Sequence, residues 1–316
     1  MTATLDTSAL TAAPARRREW VATLRRAASL PRGRVGLGLM VIVVAIAVIG
    51  PFVAPHSDTA SLVGPYSVPS GQALLGGDEL GRDVLSRVLD GGWVLLVMAA
   101  AATVLGVAVG SACGIAAAYL KGRLDGLIMR TVDVILAFPQ LVFALLLVSI
   151  VGPKLWLIVL AVGFSHAPQV ARVMRSAALE VSERDFVKAS ELLGTSRRRI
   201  MSREILPNLI SPLMVEGGLR LTYSIVIIAG LAFLGFGQAP PAANWGTMIN
   251  ENRSGLVLNP WAVIVPAALI AVLTIGTNTF TDAVARVSIG IDRETDTDAG
   301  ADTVVVHELA EIGGGR

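Results

Sequence analysis

An all-α, polytopic membrane protein is the fold class this sequence predicts, and three observations carry the prediction. Charged residues make up only 16% of the 316 positions and hydrophobic ones 53%, with a mean hydropathy of +0.67; an ordinary soluble domain is about one quarter charged. Charge-free or nearly charge-free stretches recur at 35–54, 91–120, 134–152, 155–171, 221–243 and 254–281. A helix needs about 20 apolar residues to cross the hydrocarbon core, so six spans is the simplest count. Third, lysine and arginine crowd into alternate connecting segments, as the positive-inside rule requires.

Taken in order, segment 1–34 is polar and arginine-rich, and longer than the charged leader of a secretory signal. The apolar run at 35–54 has the length of a full span and reads as an uncleaved first transmembrane helix. Residues 55–90 form a long outer loop rich in Pro, Gly and Ser. The second span carries Gly106, Gly110 and Gly114, one small residue at every fourth position. These share one side of a helix and suit close backbone packing, although glycine is common in membrane helices generally. The third run extends back to about Leu124 if charges near its end are admitted. The fourth is short and is expected to end at Pro168. The stretch 237–260, with Pro240-Pro241 and Trp245-Gly246, forms an outer loop, and Trp245 suits an interfacial anchor. The tail beyond 293 is polar and mostly acidic, which predicts disorder. The chain thus divides into a cytoplasmic segment 1–34, a first helix 35–54, an outer loop 55–90, a transmembrane core 91–285 and a cytoplasmic tail 286–316. A cytoplasmic segment at 182–207 interrupts the core.

With the N-terminus inside, the inner segments hold Arg16, Arg17, Arg18, Arg25, Arg26, Arg32, Arg34, Lys121, Arg123, Arg172, Arg175, Arg184, Lys188, Arg197, Arg198, Arg199 and Arg203, followed by Arg286, Arg293 and Arg316. The outer segments hold only Arg82, Arg87, Lys154 and Arg253. Both termini are therefore placed in the cytoplasm.

Several chemistries are disfavoured. Cys113 is the only cysteine, which precludes an intramolecular disulfide, and His56, His166 and His307 lack metal-ligand spacing. A net charge of +2 gives no footprint for nucleic acid. Lys121, Lys154 and Lys188 are the only lysines, and none follows a glycine or precedes Ser or Thr, so a phosphate-binding loop is missing. The chain is therefore not expected to hydrolyse ATP itself. Ser165-His166 is a weak hydrolase signal, because neighbours on a helix point in different directions. Asp78, Glu79, Arg82, Asp83 and Arg87 have helical spacing and predict a solvated helix at the outer rim. Its pairs would be Asp78–Arg82 and Asp83–Arg87, with cargo contact as the alternative. Arg130 with Asp133, and Glu216 with Arg220, read as helix-end ion pairs rather than a proton relay.

The cytoplasmic segment is the most patterned polar stretch. Ser182 and Asp185 predict a capping box and a helix over about 183–193. Ala189, Leu192 and Leu193 fall on one side of it, beside Phe186. Gly194 is placed for a left-handed cap, and Thr195 or Ser196 for the start of a second helix containing Ile200 and Ile205. Pro207 leads into the fifth span. Such a helix–turn–helix suits either anionic lipid or a groove on a soluble partner.

Lys188-Ala189-Ser190, Gly194 and Ile205-Leu206-Pro207 resemble the "EAA" loop of permeases in ATP-binding-cassette importers. Lys188 stands where that pattern has glutamate, and Ser190 where it has a second alanine. "LLGGDELGRDVLSRVLDGG" (74–92), "RTVDVILAFPQLVFALLLV" (130–148) and "AFLGFGQAPPAANWGTMI" (232–249) are similar to the dipeptide and oligopeptide group, and the long first outer loop to its "C"-type subunit. The similarity covers roughly 33–293. It implies a type I importer (MetI-like) fold with six helices in a bacterial plasma membrane. It implies a heterodimer with a second permease, two cytoplasmic ATPases that bind the ATP and magnesium, and an extracellular binding protein that could meet the outer motifs. This chain would be a non-catalytic subunit with no cofactor of its own. Lys188, Ala189, Ser190, Leu193, Gly194, Ile205, Leu206 and Pro207 would form the ATPase-coupling segment. Relatives of this architecture carry peptides, nickel complexes and other small solutes. An ion-coupled secondary transporter is the rival class.

Overall fold

Residues 19–238 and 241–290 are described by a computed structural model. Arg16, Arg17, Arg18, Pro240 and the polar tail with its expected disorder lie outside the described residues. Helix α1 (Glu19–Ser29) meets α2 (Pro31–Val53) at Leu30. Pro31 opens α2 because its missing N–H is one the first turn leaves unbonded in any case. After the outer loop come α3 (Val84–Asp90) and α4 (Trp93–Leu120). Then follow α5 (Gly122–Leu136), α6 (Gln140–Val151) and α7 (Leu155–Ser182). The cytoplasmic segment holds α8 (Asp185–Leu192), α9 (Arg197–Ile200), a π turn at Met201–Ile205 and α10 (Leu206–Asn208). Last come α11 (Ile210–Leu231), α12 (Trp245–Asn252) and α13 (Trp261–Ile289). Among the described residues, five helices are long and apolar enough to span a membrane, and a bent pair makes the sixth.

Three span boundaries differ from expectation. The third span is broken, because α5 and α6 meet at 83°. Pro139 sits at the break, where it cannot donate to the helix ladder and biases Phe138 away from helical geometry. Conversely, α7 does not end at Pro168 but runs through it to Ser182. The proline leaves the Phe164 carbonyl, four residues back, without its helical donor, and one residue further on the Gln140 side chain donates to the buried Ser165 carbonyl at 3.0 Å. A polar side chain of the neighbouring helix thus adds a bond to the backbone beside the proline, the kind of support that lets a proline sit inside a membrane helix. Helix α11 begins eleven residues before the apolar run at 221, because Glu216 and Arg220 form a pair inside it, 3.2 Å apart.

Glycine sets the closest helix contacts. A Cβ on Gly106 would lie 2.7 Å from the Gly163 carbonyl oxygen, and one on Gly110 2.5 Å from that of Ala167. One on Gly114 would lie 2.9 Å from the Arg175 nitrogen. All three therefore face α7 along one seam, with no room for a side chain. Gly36 and Gly276 do the same for α2 against α13. Around these pairs the main core gathers Leu95, Met98, Ile158, Ile225, Met248 and Leu273.

The outer loop is a packed cap rather than a solvated rim, which corrects the reading of residues 78–87. Residues 78–83 are not helical, and Asp78, Arg82, Asp83 and Arg87 are all buried. The Asp78 carboxylate accepts from Arg82 Nε at 2.6 Å and from Arg87 Nη1. Glu251, far along the chain, accepts from Arg87 Nη1 at 2.9 Å and from Arg82 Nη2 at 3.4 Å. Asp83 does not pair with Arg87. It caps α3 instead, accepting from the Leu85 and Ser86 backbone N–H groups and the Ser86 hydroxyl. Linear spacing could not reveal Glu251, the residue that closes this neutral two-by-two cluster. Trp245 is likewise no interfacial anchor: it is fully buried, and its indole N–H donates to the Val88 carbonyl at 2.7 Å. Asn252 and Asn259 bond to the backbone at Glu79, Leu75 and Gly77, fastening 75–79 onto the end of α12 and the loop before α13. Burial, and after it the Glu251 carboxylate, push the Glu79 carboxyl above its ordinary range. Two of the four outer basic residues are thus neutralised inside the cap.

Near the inner surface, Arg130 and Asp133 do not pair with each other. Asp133 takes Arg172 of α7 at 2.6 Å, and Asp125 takes Arg175 through two bonds of 2.6 Å. Both bridges run from α5 to α7, because Asp125 and Asp133, about two turns apart on α5, share a face and reach the same neighbouring helix.

Candidate functional site, the cytoplasmic segment 182–207

The segment is half anchored and half open. Its anchor is apolar: Val187, Ile200, Ile205 and Leu209 are buried in a second core with Met174 and Val181 of α7. Burying side chains of this size contributes roughly 1.5–3 kcal/mol each. At these points the segment is fixed to the inner ends of α7 and α4. On the other side, Leu192 is 90% and Leu193 85% exposed. Phe186, Lys188 and Ala189 are also exposed, whereas Ser190 is half-buried.

Gly194 ends α8 with φ +76°, the left-handed geometry that a Cβ disfavours. Its N–H donates to the Glu191 carbonyl at 3.0 Å, and the Thr195 N–H reaches back to Ser190 at 3.0 Å. This bond pair is a Schellman cap, which closes the last turn and points Leu192 and Leu193 outward. The capping box expected at the start of α8 is not formed. Ser182 belongs to the end of α7, where its hydroxyl donates to the Leu179 carbonyl at 2.9 Å. Arg184 holds the N-cap position without a side-chain bond, and Ser196 does the same for α9. Further on, Pro207 cannot donate to residue 203, and the Leu206 N–H bonds to Met201 across a π turn. Leu206 and Pro207 are half-buried where the segment turns into α11.

Charges hold the first turn. Glu183 accepts a hydrogen bond from the Lys121 ammonium, and Lys188 lies 3.5 Å from its other carboxylate oxygen. The Lys121 hydrogen bond holds the Glu183 carboxyl below the usual range and raises the Lys121 ammonium above its own. Lys188 is therefore paired within its own chain. The structure brings Lys188, Ala189, Ser190, Leu193 and Gly194 together on one knuckle. It sets Ile205, Leu206 and Pro207 at the base, with Ile205 wholly inside. Sequence reasoning missed Val187; Glu183 was legible only as a first-turn acid, not as the partner of Lys121 and Lys188. Val187 falls opposite Ala189 on the helix, and its burial depends on α7 running fourteen residues past Pro168.

Such an arrangement presents an apolar knuckle of fixed shape on the cytoplasmic side of a helical membrane core. Residues 106–288 match the family described as binding-protein-dependent transport system inner membrane component, and the chain belongs to that family. The match takes in the α4–α7 seam, the cytoplasmic segment and almost all of α13. A putative peptide transport system permease protein of Brucella suis is 36% identical over 263 residues, covering 83% of this chain and 88% of the relative. The di/tripeptide transport system permease protein DppC of Pseudomonas aeruginosa is 35% identical over 254 residues, with 78% and 84% covered. The dipeptide transport system permease protein DppC of Haemophilus influenzae is 33% identical over 255 residues, with 78% and 86% covered. The protein is thus an inner-membrane permease subunit of an ATP-binding-cassette importer. It works with an ATPase and a binding protein.

Proposed function

We propose that this subunit forms, with a second homologous permease, the path by which di- and oligopeptides enter the cell. The observation that carries the cargo reading is the naming of relatives for peptide, dipeptide or di/tripeptide transport at 33–36% identity over most of both chains. Two cytoplasmic ATPase subunits bind the ATP and magnesium, and this chain holds no cofactor of its own. The knuckle around Ala189, Ser190, Leu193 and Gly194 sits in a cleft of one ATPase, with Leu192 beside it. Its support is physical: two leucines at 85–90% exposure stand on a rigidly capped turn whose other face is locked into the core. Closure of the ATPases pushes the knuckle, and the anchored ends of α7 and α4 carry that displacement into the membrane as a rigid-body switch between two states.

Co-reconstitution with the partner permease, the ATPases and the binding protein in proteoliposomes tests this reading. Labelled di- and tripeptides are expected to accumulate only with ATP, and unchanged in the presence of a protonophore. Accumulation that follows a proton gradient without ATP would favour the ion-coupled class. ATP-driven uptake of a nickel complex but not of peptide would overturn the cargo reading alone.

A further inference from the structure

Halfway along the spans a run of polar side chains joins four helices. Thr103 of α4 lies 3.2 Å from the Ser224 hydroxyl of α11, which lies 3.0 Å from His166 Nε2 of α7. The amide nitrogen of Gln140, the first residue of α6, lies 3.3 Å from His166 Nδ1 and donates to Gln169 Oε1 at 2.8 Å. Arg220 Nη1 donates to the same Gln169 oxygen at 2.9 Å, and its guanidinium lies 5.2 Å from the Tyr223 ring centroid. The run has a dry end and an open end. His166 and Ser224 are 0% exposed, Gln140 and Gln169 are half-buried, and Tyr223 is 49% exposed.

Open polar groups at this depth do not suit lipid, since hydrocarbon satisfies no hydrogen bond. Both proline interruptions converge here as well: Pro139 at the α5–α6 break and Pro168 inside α7, stitched together by Gln140. Discontinuous helices meeting at the bilayer midplane are where transport proteins place solute sites. The chemistry of the open edge is specific. Arg220 is neutralised by Glu216, so the edge has no net charge to offer an ion. Gln140 Oε1 accepts from no described residue and Gln169 Nε2 donates to none, which leaves a carbonyl acceptor and an amide NH2 donor group on this edge. Amide groups match that pair.

We infer that Gln140, Gln169 and Tyr223 line the translocation path and hydrogen-bond the backbone amides of cargo in transit, with Arg220 positioning Gln169 and Tyr223. The amide assignment rests on the peptide reading above, whereas the aqueous exposure of the face does not. The test uses the assembled transporter in proteoliposomes, with Cys113→Ala as a cysteine-free background and Tyr223→Cys added to it. A charged, membrane-impermeant methanethiosulfonate should modify residue 223, and peptide-loaded binding protein with ATP should slow that reaction. Gln169→Leu should raise the peptide concentration for half-maximal uptake about three- to tenfold, the size expected for one neutral hydrogen bond. Modification only by a lipid-soluble maleimide, or by neither reagent in a transporter that still imports, would overturn the path assignment. Modification unaffected by peptide, with uptake by Gln169→Leu unchanged, would overturn the amide contact. Failure of the unmodified transporter to import peptide would sink the cargo reading and leave the labelling result standing.

Discussion

At the scale of single residues, Gly194 is the position where backbone geometry alone decides the outcome. Nothing lies within 4 Å of where its Cβ would stand, so a substitution there meets strain rather than a clash. Holding a β-branched residue at φ +76° costs on the order of 1–3 kcal/mol. Gly194→Val should therefore loosen the Schellman turn and reduce peptide imported per ATP hydrolysed, while Gly194→Asn, which tolerates this region, should retain most coupling. The ratio of uptake to hydrolysis in proteoliposomes measures both. Asp78 is the contrasting case, with a fully buried carboxylate between two arginines. Asp78→Ala leaves those cations under-compensated and should destabilise the outer cap by about 3–5 kcal/mol, read as a lower melting temperature in detergent. For Glu183 the pH dependence has a definite sign. Its folded pKa is depressed by the Lys121 bond, so its contribution is complete above the ordinary value of 4.5 and fades as pH falls through the lower folded one. Lys121 is raised, so its share is complete below the ordinary 10.5 and fades as pH rises through the higher folded value. Amide exchange of α8 should thus be flat near neutrality and quicken relative to a Glu183→Gln variant on strong acidification.

At the scale of elements, the α4–α7 seam is the packing through which the proposed knuckle displacement would reach the bilayer. Gly110→Val places a side chain against the Ala167 carbonyl, with the nearest atom 2.5 Å from the new Cβ. Overpacking of this kind costs about 1–3 kcal/mol. Lower yield of folded protein by size exclusion, together with a reduced melting temperature, is the expected result; Gly126→Val, with open space around it, is the control. Elements were unevenly legible in the sequence. The glycine periodicity at 106, 110 and 114, the left-handed Gly194 and the apolar spans could be read directly, because each follows from local steric or solvation rules. Pro168 misleads because a proline that ends a helix in water can sit inside a span packed against neighbouring helices. Pro139 signalled its break no more loudly than Pro168. Only the packing of α6 against α7 separates the two outcomes.

At the scale of the whole molecule, the positive-inside distribution and the buried outer cluster describe one arrangement from opposite sides. Outer arginines at 82 and 87 are tolerated because Asp78 and Glu251 enclose them, and Glu251 lies 164 positions from Arg87. No window of sequence pairs them, so spacing alone predicts a solvated helix where the cap is buried. The cytoplasmic segment was legible as a motif, but its mechanical meaning was not. That meaning comes from Val187, Ile200 and Ile205, which tie the knuckle to α7 and α4 as one body. The central claim is that this body presses on an ATPase rather than on lipid. Leu193→Cys in the Cys113→Ala background, carrying a short thiol-reactive photo-crosslinker in the assembled transporter, tests it most directly. A covalent adduct with the ATPase subunit, changing in yield with the nucleotide bound, is the predicted result. Adducts confined to phospholipid, with ATP-driven uptake intact, would contradict the account.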